Sequence, residues 1–154
     1  MADTYTQIYI HIIFAVRNRS CLIQKDIKDE LYKYITGIIS KMNCKLIVIN
    51  GMPDHVHLLV GQNPDVAISK LVQTIKRFST LFINDKKWFG TKFTWQAGFG
   101  AFSYSKSQIS KVVNYINNQE SHHRVKTFKE EYIELLKKYE VEYNEKYLFD
   151  FESL

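Results

Sequence analysis

Hydrophobic positions along this chain change period several times, and each change marks an element. From Ile8 to Val16 the residues are almost all apolar with no helical spacing, which predicts a buried strand that leaves through the basic exit Arg17-Asn18-Arg19. Ile27, Leu31, Tyr34, Ile35, Ile38, Ile39 and Met42 then recur at helical spacing, predicting a helix from about Asp26 to Met42. Two short apolar runs, Lys45 to Asn50 and His55 to Val60, are separated by Gly51-Met52-Pro53-Asp54, a turn-rich joint that predicts a hairpin. A second helix spans about Val66 to Asn84 with its stripe at Ile68, Leu71, Val72, Ile75, Phe78 and Phe82, and Pro64 or Asp65 is its capping signal.

Beyond it an aromatic segment, Trp88 to Tyr104, is expected to include a strand near Phe93 to Gln96. Ser107 to Ser121 carries Ile109, Val112, Val113 and Ile116 at amphipathic spacing and predicts a third helix, and a fourth follows from about Phe128 to Tyr139. Strand-helix-strand-strand-helix-strand is the ferredoxin-like order. The expected fold is therefore α+β, an antiparallel sheet with helices on one face and the His55 strand near its centre.

Length and composition fit one domain over residues 1–154, with 45% apolar residues, two prolines, six glycines and no repeat or linker. The stretch after about residue 140, acidic and aromatic, is expected to be peripheral. The N-terminal apolar run is interrupted by His11 and lacks a basic leader, and no run is long enough to span a bilayer, so a cytoplasmic protein is expected. Cys21 and Cys44 lack metal-ligand spacing and are expected to be reduced packing residues.

Charge changes the picture more than composition does. Between Val66 and Lys106 there are Lys70, Lys76, Arg77, Lys86, Lys87, Lys92 and Lys106 against Asp85 alone, whereas the region from Glu130 onward is acidic. Phe78, Phe82, Trp88, Phe89, Phe93, Trp95 and Phe99 are interleaved with the basic residues. Cations neutralise phosphates and aromatic faces stack on unpaired bases, so the region favours nucleic acid, with Arg17, Lys76, Arg77 and Lys111 as candidate contacts. The plainer alternative is a solvated basic face over ordinary core aromatics.

The candidate chemistry sits on two elements. In Pro53-Asp54-His55-Val56-His57-Leu58-Leu59-Val60, alternation sends His55 and His57 to one side of a strand, roughly 6.5–7 Å apart, and Val56, Leu58 and Val60 to the other. Two imidazoles side by side in an apolar strand make sense if both aim a ring nitrogen at one cation; the alternative is a pair of hydrogen-bonded structural histidines. On the third helix, at about 100° per residue, Tyr115 and Gln119 lie roughly 105° and 65° from the centre of the apolar stripe, sharing a flank with Gln108, Lys111 and His122. Of His122 and His123 only one can join that band, and His122 is the expected one. Asp54 could add a carboxylate, although an aspartate before a strand is more commonly a turn former. Among the other tyrosines, Tyr104 has no helical polar partner, Tyr9 alternates within a strand, and Tyr132, Tyr139, Tyr143 and Tyr147 lie where acids would repel a phosphate.

Taken together, PDHVHLLV, the LVQTIKRFS helix, WQAGFGAFSYSKSQ and YINNQESHH resemble, in order and spacing, the single-tyrosine HUH transposases of small bacterial insertion sequences, from about Tyr9 to Tyr132. The resemblance implies a ferredoxin-like nuclease that cuts and rejoins single-stranded DNA with hairpin-forming element ends, without ATP, through a covalent 5′-phosphotyrosine. It implies Tyr115 as nucleophile and His55, His57 and Gln119 as divalent-metal ligands. It also implies a homodimer with composite sites, in which each tyrosine helix can serve the histidines of the other subunit. Two imidazoles and an amide oxygen suit Mn²⁺ as well as Mg²⁺. Three other functions remain open from sequence: a domesticated nuclease of this type, an RRM-like RNA-binding module, for which the glycine-phenylalanine strand pattern is missing, and a two-histidine phosphoesterase, for which a second His-x-Ser/Thr strand is missing.

Overall fold

The computed structural model describes residues 3–151. Its sheet is built around β1 (Tyr9–Ala15), which pairs antiparallel with β3 (His55–Gly61) on one side and with β4 (Gly100–Tyr104) on the other. β2 (Lys45–Met52) closes the other edge of β3 through the expected hairpin, giving the order β2-β3-β1-β4. This is the ferredoxin-like arrangement that the order of elements predicts. β1 and β3 are the inner strands and are buried on both faces, which is why their sequences are nearly unbroken apolar runs.

The register sorts the side chains. Ile12 lies opposite Leu58 and Phe14 opposite Val56 on one face, while His11 lies opposite Leu59, Ile13 opposite His57 and Ala15 opposite His55 on the other. The first face is covered by α1 (Lys25–Lys41) and α2 (Ile68–Lys86), whose Leu31, Ile35, Ile39, Leu71, Val72 and Ile75 are buried with it. The two helices hold one another through Tyr34 stacked on Phe82 at 4.0 Å. The opposite face carries three shorter helices, α3 (Ile109–Asn117), α4 (Gln119–His122) and α5 (Phe128–Lys138), with Val112 and Ile116 packed on Leu59. The long helices thus share one face as expected, and the tyrosine helix occupies the other.

Two glycines are required by close approach. A Cβ on Gly51 would stand 2.2 Å from the His55 carbonyl oxygen, and one on Gly100 would stand 2.7 Å from the Tyr132 ring. Cys21 and Cys44 are buried free thiols.

Four expectations need correction. The aromatic segment forms no strand at Phe93–Gln96; only a single bridge joins Val16 to Trp95, and the fourth strand starts at Gly100. The Asn84 side chain takes both backbone groups of Phe93, at 2.8 and 3.1 Å, which removes them from any ladder. Neither Pro64 nor Asp65 caps α2: its N-cap is Ala67, and Asn63 builds the preceding turn by accepting from the Asp65 N–H. The expected continuous helix over Ser107–Ser121 is broken at Asn118, because Asn50 of β2 donates its amide to the carbonyls of Ile116 and Asn117 at 2.9 and 3.2 Å. Lastly, the end of the chain is not peripheral. Phe149 is buried against Tyr132 and Phe128, and Asp150 exchanges backbone hydrogen bonds with the Gln96 side chain. Glu152, one of the tail acids, lies outside the described residues.

Candidate active site and metal centre

The strand histidines point as alternation predicts, into the layer beneath α3–α5, and both are fully buried. Each is oriented from behind. The His55 Nδ1 faces the Asp54 carboxylate at 2.7 Å, and the His57 Nδ1 faces His11 Nε2 at 2.8 Å, so each ring directs its Nε2 toward the centre of the layer. Asp54 is thus the turn residue that fixes a ring, as a carboxylate behind a metal-bound histidine commonly does. His11 stacks on His57 with ring centroids 5.0 Å apart, and its Nδ1 has no hydrogen-bond partner among the described residues.

At the centre is a group that the sequence analysis did not single out, the Glu131 carboxylate of α5. One of its oxygens lies 3.2 Å from His57 Nε2, 3.4 Å from His55 Nε2 and 3.2 Å from His123 Nε2. The other accepts hydrogen bonds from the Tyr115 hydroxyl and, at 3.2 Å, from the Gln119 amide. The Gln119 carbonyl oxygen in turn lies 3.3 Å from His55 Nε2 and 3.1 Å from His123 Nε2. Both histidines of the adjacent pair reach the carboxylate: His123 joins the group of candidate ligands, and His122 Nε2 lies 3.7 Å from the Glu131 oxygen that accepts from Tyr115. His123 follows Gln119 by four residues and so lies over the same helical flank. His122 lies on the Tyr115 band as expected, packed edge-on against the Tyr115 ring at 4.9 Å, and the correction is that His123 joins the site as well.

Burial and charge set the ionisation here. Desolvation pushes His57 down to about 4 and lowers His11 well below its ordinary value, so both are neutral at pH 7. Burial also acts to lower His55, but the carboxylates of Asp54 and Glu131 outweigh it and raise its pKa. Burial alone would raise Glu131, yet hydrogen bonds from His123, His55 and His57 hold it well below the usual carboxylate range. Tyr115 is pushed far up, first by burial and then by the Glu131 charge, so its phenol is protonated as found.

His55, His57, His123 and Glu131 each offer one ligand atom, all within 4.8 Å of one another. Donors bound about 2.1 Å from one ion lie about 3.0–3.4 Å apart in octahedral or tetrahedral geometry. The separations of 3.1–3.4 Å between these imidazole nitrogens and the oxygens of Glu131 and Gln119 fall in that range. The donor set therefore fits a divalent cation. The same layer excludes the RRM alternative: an RRM binds RNA on an open sheet face, and here the equivalent face is covered by α3–α5.

The proposed nucleic-acid contacts do not all fall near this cluster. Lys111 is exposed on α3 beside Tyr115. Arg17 and Arg77 are exposed elsewhere, Arg77 with its guanidinium 5.6 Å from the Phe78 ring centroid. The Lys76 ammonium is engaged internally, donating to the carbonyls of Gln96 at 2.8 Å and Gly98 at 2.5 Å. No described helix is long and apolar enough to cross a membrane.

The four-stranded antiparallel sheet with helices on both faces is the HUH fold of tyrosine transposases, and solved structures agree on that fold. The chain superposes with a TM-score of 0.59 on a crystal structure of a proposed transposase from Deinococcus radiodurans, at 23% identity over 77% of this chain and 96% of the other. It superposes with a TM-score of 0.60 on a REP-associated tyrosine transposase bound to a REP hairpin, at 17% identity over 80% of this chain and 73% of the other. Residues 4–119 match the IS200-like transposases, and the chain belongs to that family. It is 27% identical to the ISDra2 transposase TnpA of Deinococcus radiodurans over 120 residues, covering 73% of this chain and 84% of that protein. The family match ends at residue 119, before His123 and Glu131.

Proposed function

We propose that this transposase cuts and rejoins single-stranded DNA at the hairpin-bearing ends of an insertion sequence, with Tyr115 as nucleophile and a 5′-phosphotyrosine as intermediate. The observation that carries this is the convergence of Tyr115, His55, His57 and Gln119 on one buried carboxylate. In the cleavage step the Tyr115 oxygen bonds to phosphorus, and the bond from phosphorus to the 3′ oxygen breaks. The phenolic proton is lost to solvent through the clefts that open beside Tyr115, and the departing 3′ oxygen takes a proton from solvent. Rejoining is the reverse with a second 3′-hydroxyl. Phosphodiester bonds are conserved in number throughout, so no nucleotide triphosphate is consumed.

His55, His57 and Gln119 would hold a divalent ion, Mg²⁺ or Mn²⁺, with His123 and Glu131 converging on the same point. Such an ion supplies positive charge that favours the phenolate and polarises the scissile phosphate. The set is richer in nitrogen than Mg²⁺ prefers, which favours Mn²⁺. Asp54 and His11 keep the strand imidazoles turned inward, and both imidazoles are themselves shielded from bulk water. Arg17, Arg77 and Lys111 are assigned to the DNA backbone. The assembly is a homodimer holding two DNA ends. Each Tyr115 starts beside the histidines of its own chain, as the ring separation of 5.9 Å to His57 supports, rather than in the composite arrangement the resemblance implies.

Incubating the protein with single-stranded DNA bearing the element ends and Mn²⁺ tests this reading. It requires an SDS-resistant protein–DNA complex mapping to Tyr115, and an adduct on another tyrosine, or cleavage by Tyr115→Phe, overturns it.

A further inference from the structure

Two clefts open beside Tyr115, and they differ in charge. One, about 360 Å³, is lined by His122, Glu131, Glu134 and Lys138, two carboxylates against one ammonium, with Glu134 also paired to Lys126. The other, about 260 Å³, runs between α3 and α5 and is lined by Tyr104, Gln108, Lys111, Lys138 and Tyr139, with Tyr115 at its inner end. The second holds two cations, no acid and an aromatic wall. Tyr139 meets Tyr104 edge to face at 5.6 Å and lies against Phe102 at 5.3 Å, which fixes its ring. The Lys138 ammonium sits 5.4 Å from the centroid of that ring.

We propose that this α3–α5 groove seats the nucleotide adjoining the phosphate that Tyr115 attacks, with Lys111 and Lys138 on flanking phosphates and Tyr139 stacking on the base. The proposal rests on Tyr115 being the nucleophile, since that places a phosphodiester at the groove's inner end. Lys138 borders both clefts, so the contrast lies in the rest of each lining: one route passes Glu131 and Glu134, the other passes Lys111 and no acid, and electrostatics selects the second. The volume lies below the roughly 300–1,000 Å³ of a typical small-molecule site, which suits a single nucleotide in an open channel and not a folded hairpin. Lys138 is the last residue of α5 and Tyr139 its C-cap, both beyond the residues that match the family.

The test is binding of a labelled single-stranded oligonucleotide by fluorescence anisotropy in EDTA, where the scissile bond stays intact. Lys138→Glu should weaken binding about tenfold at low salt and lower the steepness of its salt dependence by about 0.7, the share of one phosphate contact on a single strand. Lys137→Glu makes the same charge change on an exposed neighbour outside the groove and should cost about twofold or less. Tyr139→Leu should weaken binding by about fivefold or more, and Tyr139→Phe should restore it, because stacking needs the ring and not the hydroxyl. With an abasic nucleotide walked along the oligonucleotide, one position should erase the Tyr139→Leu penalty. Equal losses for Lys137→Glu and Lys138→Glu, or a Tyr139→Leu penalty that persists at every abasic position, overturn the groove. Failure of the wild-type protein to form an adduct at Tyr115 overturns the cleavage reading instead, and the anisotropy measurements do not depend on it.

Discussion

The Tyr115 phenol donates its hydrogen bond to the Glu131 carboxylate, whose other oxygen faces three imidazoles. One side chain thus links the candidate nucleophile to the candidate metal cage, and it does so within a single chain. A hydrogen bond to a charged group contributes about 1.5–3 kcal/mol. Tyr115→Phe should therefore lower stability by about that amount, as well as abolishing cleavage and adduct formation. Urea unfolding in EDTA checks it, and unchanged stability would mean that the phenol and Glu131 are apart in solution.

Glu131 itself should matter more. Glu131→Ala leaves His55, His57, His123 and Tyr115 facing one another with no central acceptor, and losing one partner of a buried charged network costs roughly 3–5 kcal/mol. Thermal and urea unfolding should show a loss of that size in EDTA. A loss below about 1 kcal/mol would show that the carboxylate does not occupy the centre of the layer.

Metal removal separates ligands from structural histidines. His55→Ala or His57→Ala should weaken Mn²⁺ binding at least tenfold, read as free Mn²⁺ by electron paramagnetic resonance, and should abolish cleavage. Gln119→Ala should be milder, because water can replace a neutral amide oxygen. Wild-type cleavage should cease in EDTA and return with Mn²⁺. Full activity in EDTA would refute the metal centre.

Much of this site was legible in the sequence, and its missing half has a physical explanation. Strand alternation placed His55 and His57 on one face, and helical geometry placed Tyr115 and Gln119 on one flank, because both periods are local properties of the backbone. Glu131 was passed over as part of an acidic stretch. Yet it falls with Phe128, Tyr132, Leu135 and Leu136 at the i, i+3, i+4, i+7, i+8 spacing of a buried stripe, and a carboxylate at a core position is the signal that could have found it. Expecting only one of His122 and His123 to join the band assumes an unbroken helix, and the break at Asn118 lets both approach Glu131. That break depends on Asn50, a residue on a distant strand. The strand expected at Phe93–Gln96 failed for a similar reason, since the Asn84 side chain captures its backbone groups.

Lys76 carries a pH signature. Burial lowers its pKa to about 8, whereas an unfolded lysine titrates near 10.4. Between those values the unfolded chain binds the extra proton, so stability should rise with pH from about 8 toward 10. Above about 10 the buried tyrosines, whose pKa values are raised, act in the opposite sense. Urea unfolding at pH 7.5, 8.5 and 9.5 should show the rise in wild type and a flatter profile in Lys76→Met. The same slope in both proteins would mean that the ammonium is solvated, leaving it available to DNA after all.

The sharpest test of assembly uses two inactive variants. Tyr115→Phe keeps the histidines and lacks the nucleophile, while His55→Ala keeps the nucleophile and lacks a ligand. If Tyr115 serves its own chain, as its bond to Glu131 and its packing against His122 favour, neither half of a mixed dimer contains a complete set. Mixed subunits should then exchange, as measured by energy transfer between labelled chains, and remain unable to form an adduct. If α3 crosses to the other subunit, one of the two sites in each mixed dimer regains all its parts, and cleavage should recover to as much as half the wild-type level per dimer. Recovery of that kind would establish a composite site, and the contact between Tyr115 and Glu131 would then describe a state the enzyme leaves before it cuts.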